Sequence, residues 1–94
     1  MLNIVAFITP KPESYEECKN RISNILIPTR DEDGCIKFDL FEDAEQQKLV
    51  LLETFRSQQD LDDHYAKPYT KAVFDFYQGR LASEPEIHKL NALS

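Results

Sequence analysis

The chain predicts an α+β fold in which helices cover one face of an antiparallel sheet. Three observations point there. Apolar runs of strand length recur at residues 2–9, 35–41, 48–56 and 86–92, and the middle two are separated only by a short polar turn. Two stretches with helical periodicity lie between the runs. Each is preceded by a Ser-x-x-acid capping signature, Ser14-x-x-Glu17 and Ser57-x-x-Asp60. At 94 residues there is room for one domain, spanning 1–94, and its own core will be thin.

Leu2 to Thr9 is mostly apolar and stops at Pro10 and Pro12, as suits a strand buried on both faces and ended by residues that cannot donate to a ladder. Tyr15, Cys18, Ile22, Ile25 and Leu26 then share one helical stripe, which predicts an amphipathic helix reaching Ile27 with Pro28 beyond it. Thr29 to Gly34 is a polar loop whose glycine permits a positive φ. Cys35 to Phe41 alternates, with Ile36, Phe38 and Leu40 on one face and Lys37 and Asp39 on the other. After the Glu42–Gln47 turn, Lys48 to Arg56 is rich enough in Leu and Val to be covered on both faces, completing a hairpin. Ser57 opens a short helix carrying Leu61, His64 and Tyr65. Pro68 suits the first turn of another, with Tyr69, Ala72, Val73 and Phe76 facing inward as far as Gly79. Pro85 introduces a weak last strand, Glu86 to Ala92. The order β-α-β-β-(αα)-β is ferredoxin-like. Its strands are apolar on the uncovered side as well, so a second sheet from an identical subunit is expected there, giving an obligate homodimer.

A net charge of −6 argues against nucleic acid and against a basic membrane-surface helix, since both rest on clustered Lys and Arg. Met1 to Ile8 is far shorter than the ~20 residues that span a bilayer and lacks the features of a signal peptide, so a cytoplasmic protein without a membrane partner is expected. Cys18 and Cys35 have neither metal-ligand nor disulfide spacing and read as small buried hydrophobes.

Two residues carry the candidate chemistry. Glu53 shares a strand face with Leu49, Leu51 and Phe55. If that face is inward, desolvation raises its pKa and makes it a proton acceptor or donor near neutrality; the alternative is an ion pair with Arg30 or Arg56. His64 stands one turn after Leu61 and points back toward the sheet, where imidazole can take a proton from a phenol or enol. The alternative is a helix-end His on a free carbonyl. Tyr65 and Asn3 carry groups able to orient a substrate by hydrogen bonds, while Tyr69, Phe74 and Phe76 suit core or rim. Arg30 either anchors an anionic group or braces its loop, and His88 is read as structural. No Gly-rich phosphate loop, Gly-x-Ser-x-Gly elbow, His-x-x-x-His or carboxylate cluster at metal spacing is present, so cofactor and metal mechanisms have no support in the sequence.

Thr9-Pro10-Lys11-Pro12, Pro28-Thr29-Arg30, Glu32, Gly34-Cys35, Asp43, Glu53-x-Phe55 and Leu61-x-x-His64 together resemble the antibiotic-biosynthesis-monooxygenase family of small dimeric α/β-barrel proteins. Phe55 replaces the usual Trp, and the chain has no Trp. The resemblance implies a cofactor-independent monooxygenase that oxidises a small phenolic or quinol substrate with O2. It implies Glu53 and His64 as catalytic residues and Phe55 at a substrate-orienting position; Asn3, Arg30, Tyr65 and Tyr69 complete the expected substrate-binding set on the chemistry of their side chains. Two further functions stay open: proton-transfer isomerisation of a small hydroxyketone, and a non-catalytic ligand-binding or stress-response module. Haem degradation, also found in the superfamily, uses an Asn-Trp-His pattern that this chain lacks.

Overall fold

Strand β1 (Leu2–Ile8) lies inside a four-stranded sheet, paired antiparallel with both β3 and β4, which accounts for its nearly unbroken apolar run. The computed structural model describes residues 1–94. Along the chain, β1 is followed by a short 3-10 turn, α1 (Tyr15–Ser23), α2 (Leu26–Arg30), β2 (Cys35–Asp43) and β3 (Lys48–Phe55). Next come α3 (Gln58–Ala66), α4 (Pro68–Tyr77) and β4 (Glu86–Leu90). The sheet order is β2-β3-β1-β4, with every neighbouring pair antiparallel, so the expected α+β, ferredoxin-like arrangement is present. No helix is long and apolar enough to cross a membrane.

Period two sorts the sheet into two faces. Ile4, Ala6 and Ile8 of β1, Leu49, Leu51, Glu53 and Phe55 of β3, and Phe38 of β2 lie against the helices and are buried. They join Tyr15, Cys18, Ile22, Ile25, Leu61, Val73 and Tyr77 from the helical side. The opposite face carries Val5, Phe7, Val50 and Leu52, all half-buried, beside exposed Phe41 and Leu90. β1 and β3 are therefore covered on one face only within this chain.

Several local expectations are corrected. Pro28 lies inside α2 rather than beyond the helix: α1 ends at Ser23, and a new helix starts at Leu26 with Pro28 in its first turn, where no N–H is needed. Ser14 makes no side-chain capping bond, whereas Ser57 accepts from the Asp60 N–H at 3.2 Å. A β-bulge between Cys35 and Lys37 leaves Ile36 half exposed rather than inward with Phe38. Gly34 has no positive φ; it is required because a Cβ there would lie 2.1 Å from Asp60 Cγ. On α4, Thr70, Val73 and Tyr77 are buried while Ala72 is exposed, and β4 stops at Leu90.

Candidate active site

The Ser57 cap sets the start of α3 so that Leu61 and His64, one turn apart, both face the sheet and are buried. The His64 ring sits among aromatic rings, 5.4 Å from Phe38, 5.1 Å from Phe55 and 5.6 Å from Tyr65 between centroids. Its Nδ1 lies 2.9 Å from Glu32 Oε2. Glu32 belongs to the turn that closes α2, where its N–H donates to Thr29 O and its carbonyl accepts from the Cys35 N–H. That turn swings the carboxylate under α3 and α4. The same Oε2 accepts the Tyr69 hydroxyl, and burial together with this bond holds the Tyr69 phenol well above its ordinary pKa.

A carboxylate offers only acceptors, so His64 donates to it from Nδ1 and Nε2 becomes the proton-accepting nitrogen of the neutral ring. Nε2 has no protein partner. Glu32 thus orients the imidazole as the buried carboxylate does in a catalytic triad.

Glu53 enters from the sheet. It is 6 % exposed, its Oε1 has no hydrogen-bond partner, and desolvation pushes its carboxyl from the ordinary 4.5 to about 7. Neither candidate arginine reaches it. Arg30 donates from Nε to the Phe38 carbonyl at 2.9 Å and pairs with Asp39, while Arg56 pairs with Asp60 at 3.0 Å and with Asp33.

Glu53, His64, Tyr65 and Thr70 line one narrow cleft of about 40 Å3 whose other walls are mostly apolar. Apolar walls with a few convergent polar groups are the chemical character of a small-molecule site, whatever the small volume. Thr70 Oγ1 is likewise buried without a partner. The Tyr65 phenol is pushed up to about 12 by burial and by the Glu53 charge, so it stays a hydrogen-bond donor. Phe74, Pro85 and Ile87 stand at the exposed end of the cleft.

The remaining expected residues are placed elsewhere. Asn3 faces the opposite side of the sheet, where its Oδ1 accepts from the Thr54 hydroxyl at 2.9 Å. Arg30 braces β2 at the surface. Phe55 is fully buried against His64 and forms no part of the cleft wall, and Tyr69 spends its hydroxyl on Glu32. His88 is exposed on the open sheet face, edge-on to Phe7. Burial raises both thiols, Cys35 to about 11, so neither is poised as a thiolate. Two polar groups are not evident from the sequence. Glu32 looks like one more solvated loop carboxylate between Asp31 and Asp33, although it stands in the recognised motif. Thr70 is signalled only by being a polar residue three before Val73 on a helix.

The family profile described as antibiotic biosynthesis monooxygenase matches residues 1–75, which include Glu32, Glu53, His64 and Tyr65. "Putative monooxygenase Rv0793" of Mycobacterium tuberculosis is 36% identical over 66 residues, 70% of this chain and 65% of that protein. The protein sll1783 of Synechocystis is 31% identical over 81 residues, 85% of this chain and 55% of its own. The matches thus span only a little over half to just under two thirds of these curated relatives. The solved structure of Rv0793 superposes with a TM-score of 0.92 at 29% identity, covering 99% of this chain and 95% of that one. PA3566 from Pseudomonas aeruginosa shares the fold with the same TM-score at 23% identity, covering 99% and 94%. On the profile match and the shared fold, the chain belongs to the antibiotic biosynthesis monooxygenase family.

Proposed function

We propose that the protein is a cofactor-independent monooxygenase that oxidises a small phenolic or quinol substrate with O2. The observation that carries this reading is the pairing, in one apolar cleft, of an unpartnered carboxyl with a pKa of about 7 and an imidazole held by a carboxylate behind it. His64 Nε2 takes the proton of a ring hydroxyl, and the resulting anion is rich enough in electrons to pass one to O2. The two radicals combine at a ring carbon that bears hydrogen, forming a C–O bond. Removal of that carbon's proton to Glu53 turns the bonding pair into C=O as the O–O bond breaks. His64 first returns its proton to the outer peroxide oxygen, so that the departing group is hydroxide, and the proton collected by Glu53 converts it to water. A quinol supplies all four electrons: one oxygen atom enters the ring, the other becomes water, and the product is a hydroxyquinone. The apolar walls exclude water from the anion and the peroxide.

On this reading a second copy of the chain covers the open sheet face. The test is oxygen uptake with a panel of quinols, with and without a chelator, followed by 18O incorporation from labelled O2. Uptake with at least one quinol, unchanged by chelator and placing label in the product, is the expected result. No uptake with any quinol overturns the reading. A titrating carboxyl beside a basic imidazole also suits proton-transfer isomerisation of a hydroxyketone. Anaerobic uptake of solvent deuterium into such a substrate distinguishes that reaction.

A further inference from the structure

The cleft that holds Glu53 does not end at its rim. Phe74, Tyr77, Pro85 and Ile87 also form the inner wall of an open groove of about 640 Å3, whose remaining lining is Gln78, Gly79, Leu81, Ala82, Ser83 and Glu84. The two spaces differ in chemistry. The inner one is walled mostly by hydrocarbon, whereas the outer one offers an amide, a hydroxyl, backbone groups and one carboxylate. The groove contains no cation. Arg80, inside the same loop, is turned away: it donates to the Phe76 carbonyl at 2.8 Å and its guanidinium lies 4.1 Å from the Phe76 ring centre.

The groove is also held in shape. The Lys11 N–H donates to Arg80 O and the Ala82 N–H to Thr9 O, each at 2.8 Å, and Pro10 bridges Leu81. These bonds fasten the loop to the end of β1, so the groove is a preformed surface.

Resting on the proposed chemistry of the inner cleft, we infer that the substrate is a ring carrying a polar side arm, neutral or cationic, which lies in the Gln78–Glu84 groove while the ring sits beside Glu53. An anionic arm would meet Glu84 with no countercharge.

Equilibrium binding under anaerobic conditions tests this with three hydroquinones whose propyl arms end in hydroxyl, ammonium or carboxylate. The ammonium compound should bind about tenfold more tightly than the carboxylate, with the hydroxyl compound between them, a spread appropriate to one exposed charge. Glu84→Lys, an exposed change, should reverse the order of the two charged compounds. Equal affinities, an order that Glu84→Lys leaves unaltered, or no binding of any of the three overturns the inference. The expected ranking without oxygen uptake would leave the groove assignment standing and overturn the oxygenase reading. Uptake that is indifferent to the arm would do the reverse.

Discussion

Glu53 gives stability a pH dependence opposite in sign to that of a salt-bridged carboxylate. In the folded chain its carboxyl holds a proton up to about 7, whereas an ordinary one releases it near 4.5. Between those values the folded state binds the extra proton, so stability falls as pH rises and the loss is complete above the folded value. At about 1.4 kcal/mol per unit, the loss is at most about 3–4 kcal/mol. Thermal melts from pH 4 to 8 should therefore decline over that window for the wild type and lie nearly flat for Glu53→Gln. That variant should also lose on the order of a hundredfold in turnover, and wild-type kcat/KM should rise with pH through about 7. Retained specific activity together with lost stability would sink the functional role of Glu53. Glu32→Ala strips the buried His64 Nδ1–H of its acceptor, leaves the half-buried Tyr69 hydroxyl only the Pro28 carbonyl at 3.3 Å, and should cost roughly 1–3 kcal/mol. Its turnover should fall with KM little changed, because Glu32 orients the base from behind; a change confined to KM would contradict that role. Glu53 and His64 are legible in the sequence because each stands at the right period on an apolar stripe. Glu32 is not, because its partner lies 32 residues away and only the tertiary fold brings them together.

The elements divide in a similar way. β1, β3, the Ser57 cap and Pro68 at the head of α4 are written in local pattern, and the structure has them where the pattern points. Ser14 and Ser57 present the same signature, yet only Ser57 bonds the backbone, since the 3-10 turn before α1 leaves Ser14 without a capping geometry. Ser57→Ala should cost about 1 kcal/mol and Ser14→Ala less than about half of that, compared by urea midpoints at equal m. Equal losses would contradict the difference in capping. The bulge at Ile36 is invisible in the sequence because alternation looks the same with or without an extra residue, and only pairing with β3 shows it. Pro28 misleads for a related reason. A proline ends one helix or begins another, and the residues after it decide which.

Across the whole molecule, the exposed apolar sheet face makes the second copy testable. Leu52 pairs with Val5 on one side and Asp39 on the other, near the middle of that face. Sedimentation at micromolar concentration should find a dimer whose melting temperature rises with concentration, and Leu52→Lys should shift it to monomer. A wild-type monomer would refute the arrangement. The layer order is legible in the sequence, but the walls of the cleft are not, because they come from both ends of the chain. The fastening of the Gly79–Ala82 stretch to the end of β1 has a kinetic meaning too. Amides at Lys11 and Ala82 should exchange with solvent at rates set by opening of the central strand, not at the fast rates of a surface loop. At the rim of the cleft the exposed Phe74 has its ring centre 6.1 Å from that of Tyr65, and side-chain rotations at exposed positions take picoseconds to nanoseconds. On the proposed function, the way into the cleft runs past a fastened loop and a fast-turning ring, and turnover is expected to follow the chemical step.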